Sequence, residues 1–243
     1  MGLKESGLRG SLRNVSVGID AIPDSAQHRY FASEVPEGDG ETVESWDDLI
    51  GSVDLQSVGN PTISSNAVND VDAINLDGED AYDYIDNLDE TITEPFTIIF
   101  SLSIESLDGE IYNLWHDNDG DDSTRNRILL RDDTGDLTLD IDGENTTVGD
   151  MPDEGDHIIT VAVDDSEAVL RVDGMEESTA PSSQEQPILR DDGVGGFYYD
   201  AENNDRFLES LAVEISTYNE RLSGEDLDEE EERHEDNANM NVL

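Results

Sequence analysis

From about Tyr30 onward, apolar and β-branched residues fall in short blocks separated by acid- and glycine-rich turns. Val71–Leu76 and Ala81–Ile85 flank the turn Asp77-Gly78-Glu79. Phe96-Thr97-Ile98-Ile99-Phe100-Ser101-Leu102-Ser103-Ile104 is a long β-branched and aromatic run, the pattern of a central strand buried on both faces. Ile111–Trp115, Arg127–Arg131 and Asp136–Ile141 follow at short intervals. Their separators, Leu107-Asp108-Gly109-Glu110, Asp132-Asp133-Thr134-Gly135 and Asp142-Gly143, have hairpin chemistry, because Gly and Asp take the positive φ that tight turns need. Ile158–Val163 and Ala168–Val172 pair across Asp164-Asp165-Ser166 and close with Asp173-Gly174; Val194–Tyr199 and Leu208–Ser216 complete the series. Roughly ten strands with frequent turns predict an all-β sandwich or barrel. At the end, Ser223-Gly224-Glu225-Asp226 predicts a helix start, with Ser223 as N-cap and acids where the helix dipole favours them. Leu222 and Leu227 would pin this helix to the strands, leaving Asp228–Glu232 as a solvated face.

Charge changes the picture. The 243 residues hold 62 Asp plus Glu against 12 Lys plus Arg, a formal charge of −50. Lys4 is the only lysine. A surface so rich in acid and poor in lysine is the mark of a protein that works in molar salt, where a Debye length of about 3 Å screens its self-repulsion. The same charge excludes non-specific nucleic-acid binding, which needs clustered cations. With no cysteine there is no disulfide framework, thiolate metal site or cysteine nucleophile. No apolar stretch approaches the length that crosses a bilayer. The charge is also uneven. Residues 1–29 are near neutral, with Lys4, Arg9, Arg13 and Arg29 against Glu5, Asp20 and Asp24, and no basic residue follows until Arg125. This break predicts an N-terminal assembly arm over 1–29, a sandwich over 30–222 and an acidic helix and tail over 223–243. The bland alternative for 1–29 is an ordinary tail. The segment lacks the continuous apolar core of a secretory signal.

Several stretches, in order, resemble the laminin-G-like or concanavalin-A-like jelly roll of lectins and glucanases. Ser45-Trp46-Asp47-Asp48 with Gly51-Ser52 is similar to its "W-x-D" opening. Ala73-Ile74-Asn75-Leu76-Asp77-Gly78-Glu79-Asp80-Ala81-Tyr82 resembles its "F-D-G-x-x-d-Y" strand and turn, with Leu76 where an aromatic is usual. Pro95-Phe96-Thr97-Ile98 matches the opening of a central strand. His157–Val163 followed by Leu170-Arg171-Val172-Asp173-Gly174 resembles the "v-D-G" hairpin, with Arg171 where Tyr is common. Glu214–Ser223 resembles the closing strand and helix start. The likeness covers about residues 43–232 and implies a two-sheet antiparallel jelly-roll sandwich. It does not fix a function, since such folds serve as lectins, hydrolases and structural modules.

Three constellations could carry chemistry. His116-Asp117-Asn118-Asp119-Gly120-Asp121-Asp122 is the metal candidate, with Asp117, Asp119, Asp121 and Asp122 offering oxygens to Ca2+. Its Gly is misplaced for an EF-hand, although the resemblance implies that a loop calcium is common; the alternative is simple acidic decoration. For a glycan, Trp115 with Arg125 and Arg127 forms one group, and Tyr198 and Tyr199 with Asn203 another; each could instead be core or rim. Asp140-Ile141-Asp142-Gly143-Glu144 is the nearest match to the paired carboxylates of a glycosidase, but a turn at Asp142-Gly143 would break it. His28, His116, His157 and His234 are scattered, His157 at a strand start and His234 in the tail, and form no Ser-His-Asp pattern.

The expectation is therefore a non-enzymatic protein on the surface of a virus particle of a salt-loving archaeon, a capsid turret or decoration. Arm-plus-sandwich proteins of this kind occur in tailed viruses of such hosts. The expected partners are the capsid shell, further copies in a symmetric homo-oligomer and a host glycan. Alternatives are a tail-fibre receptor-binding protein, a cell-surface lectin-like domain or, last, a polysaccharide hydrolase.

Overall fold

The computed structural model describes residues 23–83, 95–108, 110–118, 126–141, 144–164, 167–181, 194–197 and 207–243. Sixteen strands and one helix lie among them: β1 (Ala26–Phe31), β2 (Ser45–Trp46), β3 (Leu55–Val58), β4 (Thr62–Val68), β5 (Val71–Asp77), β6 (Ala81–Asp83), β7 (Phe96–Ser106), β8 (Ile111–Asn118), β9 (Asn126–Arg131), β10 (Asp136–Ile141), β11 (Glu144–Asp150), β12 (Gly155–Val163), β13 (Glu167–Val172), β14 (Met175–Pro181), β15 (Val194–Phe197), β16 (Glu209–Tyr218) and α1 (Glu225–Ala238). They form two eight-stranded antiparallel sheets. Sheet A runs β14-β13-β12-β7-β16-β5-β4, with β1 also on β16, and sheet B runs β11-β10-β9-β8-β15-β6-β3-β2. The fold is an all-β jelly-roll sandwich with a short C-terminal helix, as the strand pattern predicts.

The core lies between the sheets. On β7 the alternate residues Phe96, Ile98, Phe100, Leu102 and Ile104 face it, meeting Tyr112, Trp115, Ile128, Leu130, Leu137 and Leu139 of sheet B. Trp46, the tryptophan of the opening motif, packs 5.6 Å from the Tyr82 ring. Two residues later, Asp48 clamps β1 to the loop after β2. Its carboxylate meets His28 Nδ1 at 2.7 Å and accepts backbone N–H bonds from Arg29, Ile50, Gly51 and Val53. Burial opposes charge on Asp48, but those donors outweigh it and hold the carboxyl below its usual range.

Local chemistry explains the turns. Asp173 (φ 52°) and Gly174 (φ 70°) join β13 to β14 in the two-residue left-handed turn that suits strand twist. The Asp173 carboxylate also binds His157 Nδ1 at 2.9 Å and the Ile158 amide at 2.9 Å. One turn departs from expectation. Leu107–Glu110, expected as a hairpin, connects β7 to β8 on opposite sheets and is a crossing; the Asp77-Gly78-Glu79 turn, from β5 to β6, also passes from one sheet to the other. Gly and Asp report that the chain bends, not which sheet it bends into. The free edge of β4 is covered, since Gly40 N–H donates to Ile63 O and Ile63 N–H to Glu41 O.

The C-terminal region differs most from expectation. Gly224 (φ 58°), not Ser223, is the N-cap, and it makes no side-chain cap bond. The helix does not present Glu230, Glu231 and His234 to solvent: all three are buried with Leu227 and Ala238 against β7, β12 and β16. This second layer makes β7 double-sided, because its alternate residues Thr97, Ile99 and Ser101 lie under α1. Thr97 fastens the link into the helix by donating to Glu220 O and accepting from the Leu222 amide, both at 2.9 Å.

Glu214 sits at the centre of that layer and is fully buried. A bulge between Ala212 and Glu214 in the β16–β7 ladder turns Val213 and Glu214, consecutive residues, toward the helix. Arg29 Nε donates to Glu214 Oε1 at 2.8 Å, Asn237 Nδ2 donates to Oε2 at 2.8 Å, and Arg233 Nη1 closes the pair. Arg29 is thus a residue of β1, 4% exposed and part of the sandwich, so the composition break at residue 29 falls inside a strand. Lys4, Arg9 and Arg13 lie outside the described residues. Burial opposes the charge on Glu214, but the cationic field of His234 when protonated, and of Arg233 and Arg29, holds its carboxyl at about 2. Burial also pulls the His234 imidazole down to about 3, with Glu214 opposing and the two guanidinium groups reinforcing, so it is neutral in the working range.

Both shifts favour the fold at high pH and lose that benefit on acidification. An unfolded His binds a proton below about 6.5 and an unfolded Glu below about 4.3. Stability should therefore fall first between about pH 6.5 and 4.5 through His234, then further toward pH 2 through Glu214. Urea titrations in molar KCl across this range should show the upper part of the slope flattened in His234→Gln. Glu214→Ala, which strands two guanidinium groups, should cost about 3–5 kcal/mol at neutral pH.

Candidate functional site: the outer face of sheet B

On β8, β9 and β10 the residues that alternate with the core set point away from it: Asn113, Arg127, Leu129, Thr138 and Asp140. None exceeds 4% exposure, so these side chains are buried and this face is not an open solvated surface. Arg127 and Asp140 face each other across the β9–β10 ladder. Arg127 Nε and Nη2 both donate to Asp140 Oδ2, at 3.1 and 2.6 Å. Asn113 has no hydrogen-bond partner for either amide atom. A buried amide left so costs about 1–3 kcal/mol, a penalty a polar ligand would relieve.

Strand register extends the site. Asn145, Asp140, Arg127, His116, Gly196, Asp83, Gln56 and Ser45 lie in one cross-strand row spanning sheet B. Gly196 in β15 leaves the middle of this row without a side chain. Asn113, Arg127 and Asp140 together hold amide and guanidinium N–H donors and carboxylate and amide acceptors, the set that vicinal hydroxyls use.

The structure sorts the residues expected from sequence. Arg127 belongs to this face. Trp115 does not: it is 0% exposed, opposite Ile128, and lies in the inter-sheet core, so it offers no platform to a sugar. The register shift between Asn113 and Trp115 turns it inward, which the run Ile111–Trp115 cannot show by alternation alone. Arg125, Tyr198, Tyr199 and Asn203 lie outside the described residues, as do Asp119, Asp121 and Asp122. Asp117 is in β8, opposite Asn126 and Gly195. Among the described residues, no three His, Cys, Asp or Glu side chains converge to hold a metal ion. Asn113 and Thr138 were missed because nothing in their neighbourhood marks them apart from ordinary strand residues.

The acidic motif at 140–144 does not line one strand. Asp140 ends up on β10 with Arg127, and Glu144 begins β11 opposite Ile141, so the motif is divided between two strands; Asp142 lies outside the described residues. A serine–histidine–carboxylate chain does exist beneath α1. Ser101 Oγ lies 2.7 Å from His234 Nδ1, and His234 Nε2 lies 3.1 Å from Ser216 Oγ, which in turn reaches Glu214 Oε1 at 3.3 Å. If Ser216 donates to Glu214, Nε2–H donates to Ser216 and Nδ1 accepts from Ser101. Ser101, Ser216, Glu214 and His234 are at most 1% exposed, and an imidazole held near 3 is no general base at neutral pH, so this chain is structural.

Neither a sequence-family profile nor a curated protein sequence matches the chain. Solved structures do. Domain 4 of AbnA, a GH43 extracellular arabinanase from Geobacillus stearothermophilus in complex with arabinotriose, is 12% identical with a TM-score of 0.59, over 88% of this chain and 100% of that one. The Trypanosoma rangeli sialidase in complex with sialic acid is 11% identical with a TM-score of 0.58, over 88% of this chain but 32% of the sialidase. The binding domain of Paraclostridial Mosquitocidal Protein 1 is 16% identical with a TM-score of 0.59, over 89% of this chain and 52% of that one. These likenesses establish a shared β-sandwich fold, and the chain spans about a third of the sialidase's length.

Both tryptophans of the chain are buried, so their fluorescence in molar KCl should be blue-shifted and resist collisional quenching by iodide. Saccharides that bind the outer face of sheet B should leave that quenching unchanged; a ligand-induced protection would return Trp115 to the site.

Proposed function

We propose that this chain is a non-catalytic, glycan-binding sandwich of laminin-G-like type, displayed on the outside of a halophilic virus particle as a homo-oligomeric capsid decoration. The observation that carries the glycan reading is Asn113: a fully buried amide with no partner, beside an arginine–carboxylate pair, on the sheet face turned away from the core. Support comes from neighbours of the same fold that are described in complex with arabinotriose or sialic acid. The acidic coat supports an outer surface bathed in brine. The near-neutral segment 1–29 supports docking on a shell, and calcium on the 117–122 loop belongs to the same proposal.

Calorimetric titration in molar KCl with arabino-oligosaccharides and sialyl-oligosaccharides tests the glycan reading. Asn113→Ala should weaken binding by about tenfold or more while leaving the unfolding midpoint unchanged or raised, because the lost amide has no partner to abandon. Absence of binding by the unaltered protein to either class, or full binding by the variant, would sink it. Immunogold labelling of purified particles tests the location: label on the capsid exterior is expected, and its absence removes the virion assignment.

A further inference from the structure

The helix α1 is an unusual partner for a sheet. Of its fourteen residues, Glu225, Asp226, Asp228, Glu229, Glu230, Glu231, Glu232, Glu235 and Asp236 are acids, and Leu227 and Ala238 are the buried apolar residues. The face it covers is a sandwich face in its own right, with Ile99, Ile158, Val213 and Tyr218 among the residues beneath it.

Two kinds of electrostatics act on this helix, and salt treats them differently. Glu225, Asp226, Glu229, Glu232 and Asp236 are exposed, at helical spacings that bring like charges together, and they extend from an already negative body; Asp228, also exposed, pairs with Arg171 at 2.8 Å. The attractions that hold the helix are mostly withdrawn from water. Arg233 bridges Glu214 and Glu230; Tyr218 O–H donates to Glu230 Oε2 at 2.6 Å; Thr160 Oγ1 donates to Glu231 Oε1 at 2.7 Å; and Arg171 Nη2 lies 3.0 Å from Glu231. Salt screens the exposed repulsion strongly and the buried pairs little. Adding salt therefore strengthens docking, and removing it weakens docking, without touching the inter-sheet core.

We infer that α1 is a salt-gated strap: it closes over the outer face of sheet A in molar salt and lifts off as a unit on dilution, while the two-sheet body stays folded. Lifting uncovers the Ile99–Ile158–Val213–Tyr218 face, which then binds apolar dye or associates with itself. The strap is separate from the outer face of sheet B and stands or falls independently of any glycan.

Hydrogen exchange read by mass spectrometry on the full chain, stepped down in KCl, tests this. Residues 225–238 should lose protection at a salt concentration where residues 100–104 and 128–130, on strands of both sheets, remain protected. Loss of both at one concentration, or a helix protected down to the lowest salt, overturns the strap. The quadruple variant Glu225→Gln, Asp226→Asn, Glu229→Gln, Glu232→Gln touches none of the buried pairs. At a low salt where the native strap is mostly open, it should be about tenfold less open, as expected from removing several like-charge contacts. An unmoved opening in this variant also overturns the inference.

Discussion

A single buried carboxylate, Glu214, joins the two ends of the described chain. Arg29 reaches it from the first strand, Arg233 and Asn237 from the last helix, and it is itself carried on the strand between them. A charge in that position costs several kcal/mol to desolvate, and removing one partner leaves the others uncompensated. The geometry around it follows from this demand. The bulge in β16 aims Glu214 outward, Arg29 takes the adjacent strand position, and α1 must lie where Arg233 and His234 meet the same carboxylate. The β1–β16 pairing and the seat of the helix are thereby specified together.

Cations are scarce in this protein and are spent inside or at element junctions. Every arginine among the described residues is paired with acid: Arg29 and Arg233 with Glu214, Arg127 with Asp140, Arg131 with Asp133, Arg171 with Asp228 and Glu231, and Arg221 with Asp164 and Glu167. Among the described residues none is left to neutralise the remaining surface, whose self-repulsion salt would screen. Surface pairs such as Arg131–Asp133 contribute little under such screening, while the buried ones persist.

The two sheets accordingly have different outward faces. Sheet A is closed by a helix through a network of buried ion pairs and hydrogen bonds. Sheet B carries Asn113, Arg127 and Asp140 on the face away from the core, where the Asn113 amide has no hydrogen-bond partner. This difference places the candidate site on sheet B, and it separates the conformational behaviour of the strap from recognition.

Much of the architecture is written in local pattern. The run Phe96–Ile104 is apolar at six of nine positions, with small hydroxyl residues at the rest, because both its faces are covered, and Asp173-Gly174 needs no partner to dictate a tight hairpin, since left-handed φ is a property of those residues themselves. The acid excess and the single lysine likewise belong to the sequence alone, because composition requires no contact to be read. What only the tertiary structure decided depends on residues far apart in the chain. Leu107–Glu110 crosses between sheets, Trp115 turns inward through a register shift, and Glu230 and Glu231, in the run that reads as a solvated face, are buried together with His234. In each case the deciding partner, the opposite sheet, strand β9 or Arg29 and Glu214 on β1 and β16, lies outside any local window. A charged side chain shows whether it is coat or core only when its counter-ion arrives.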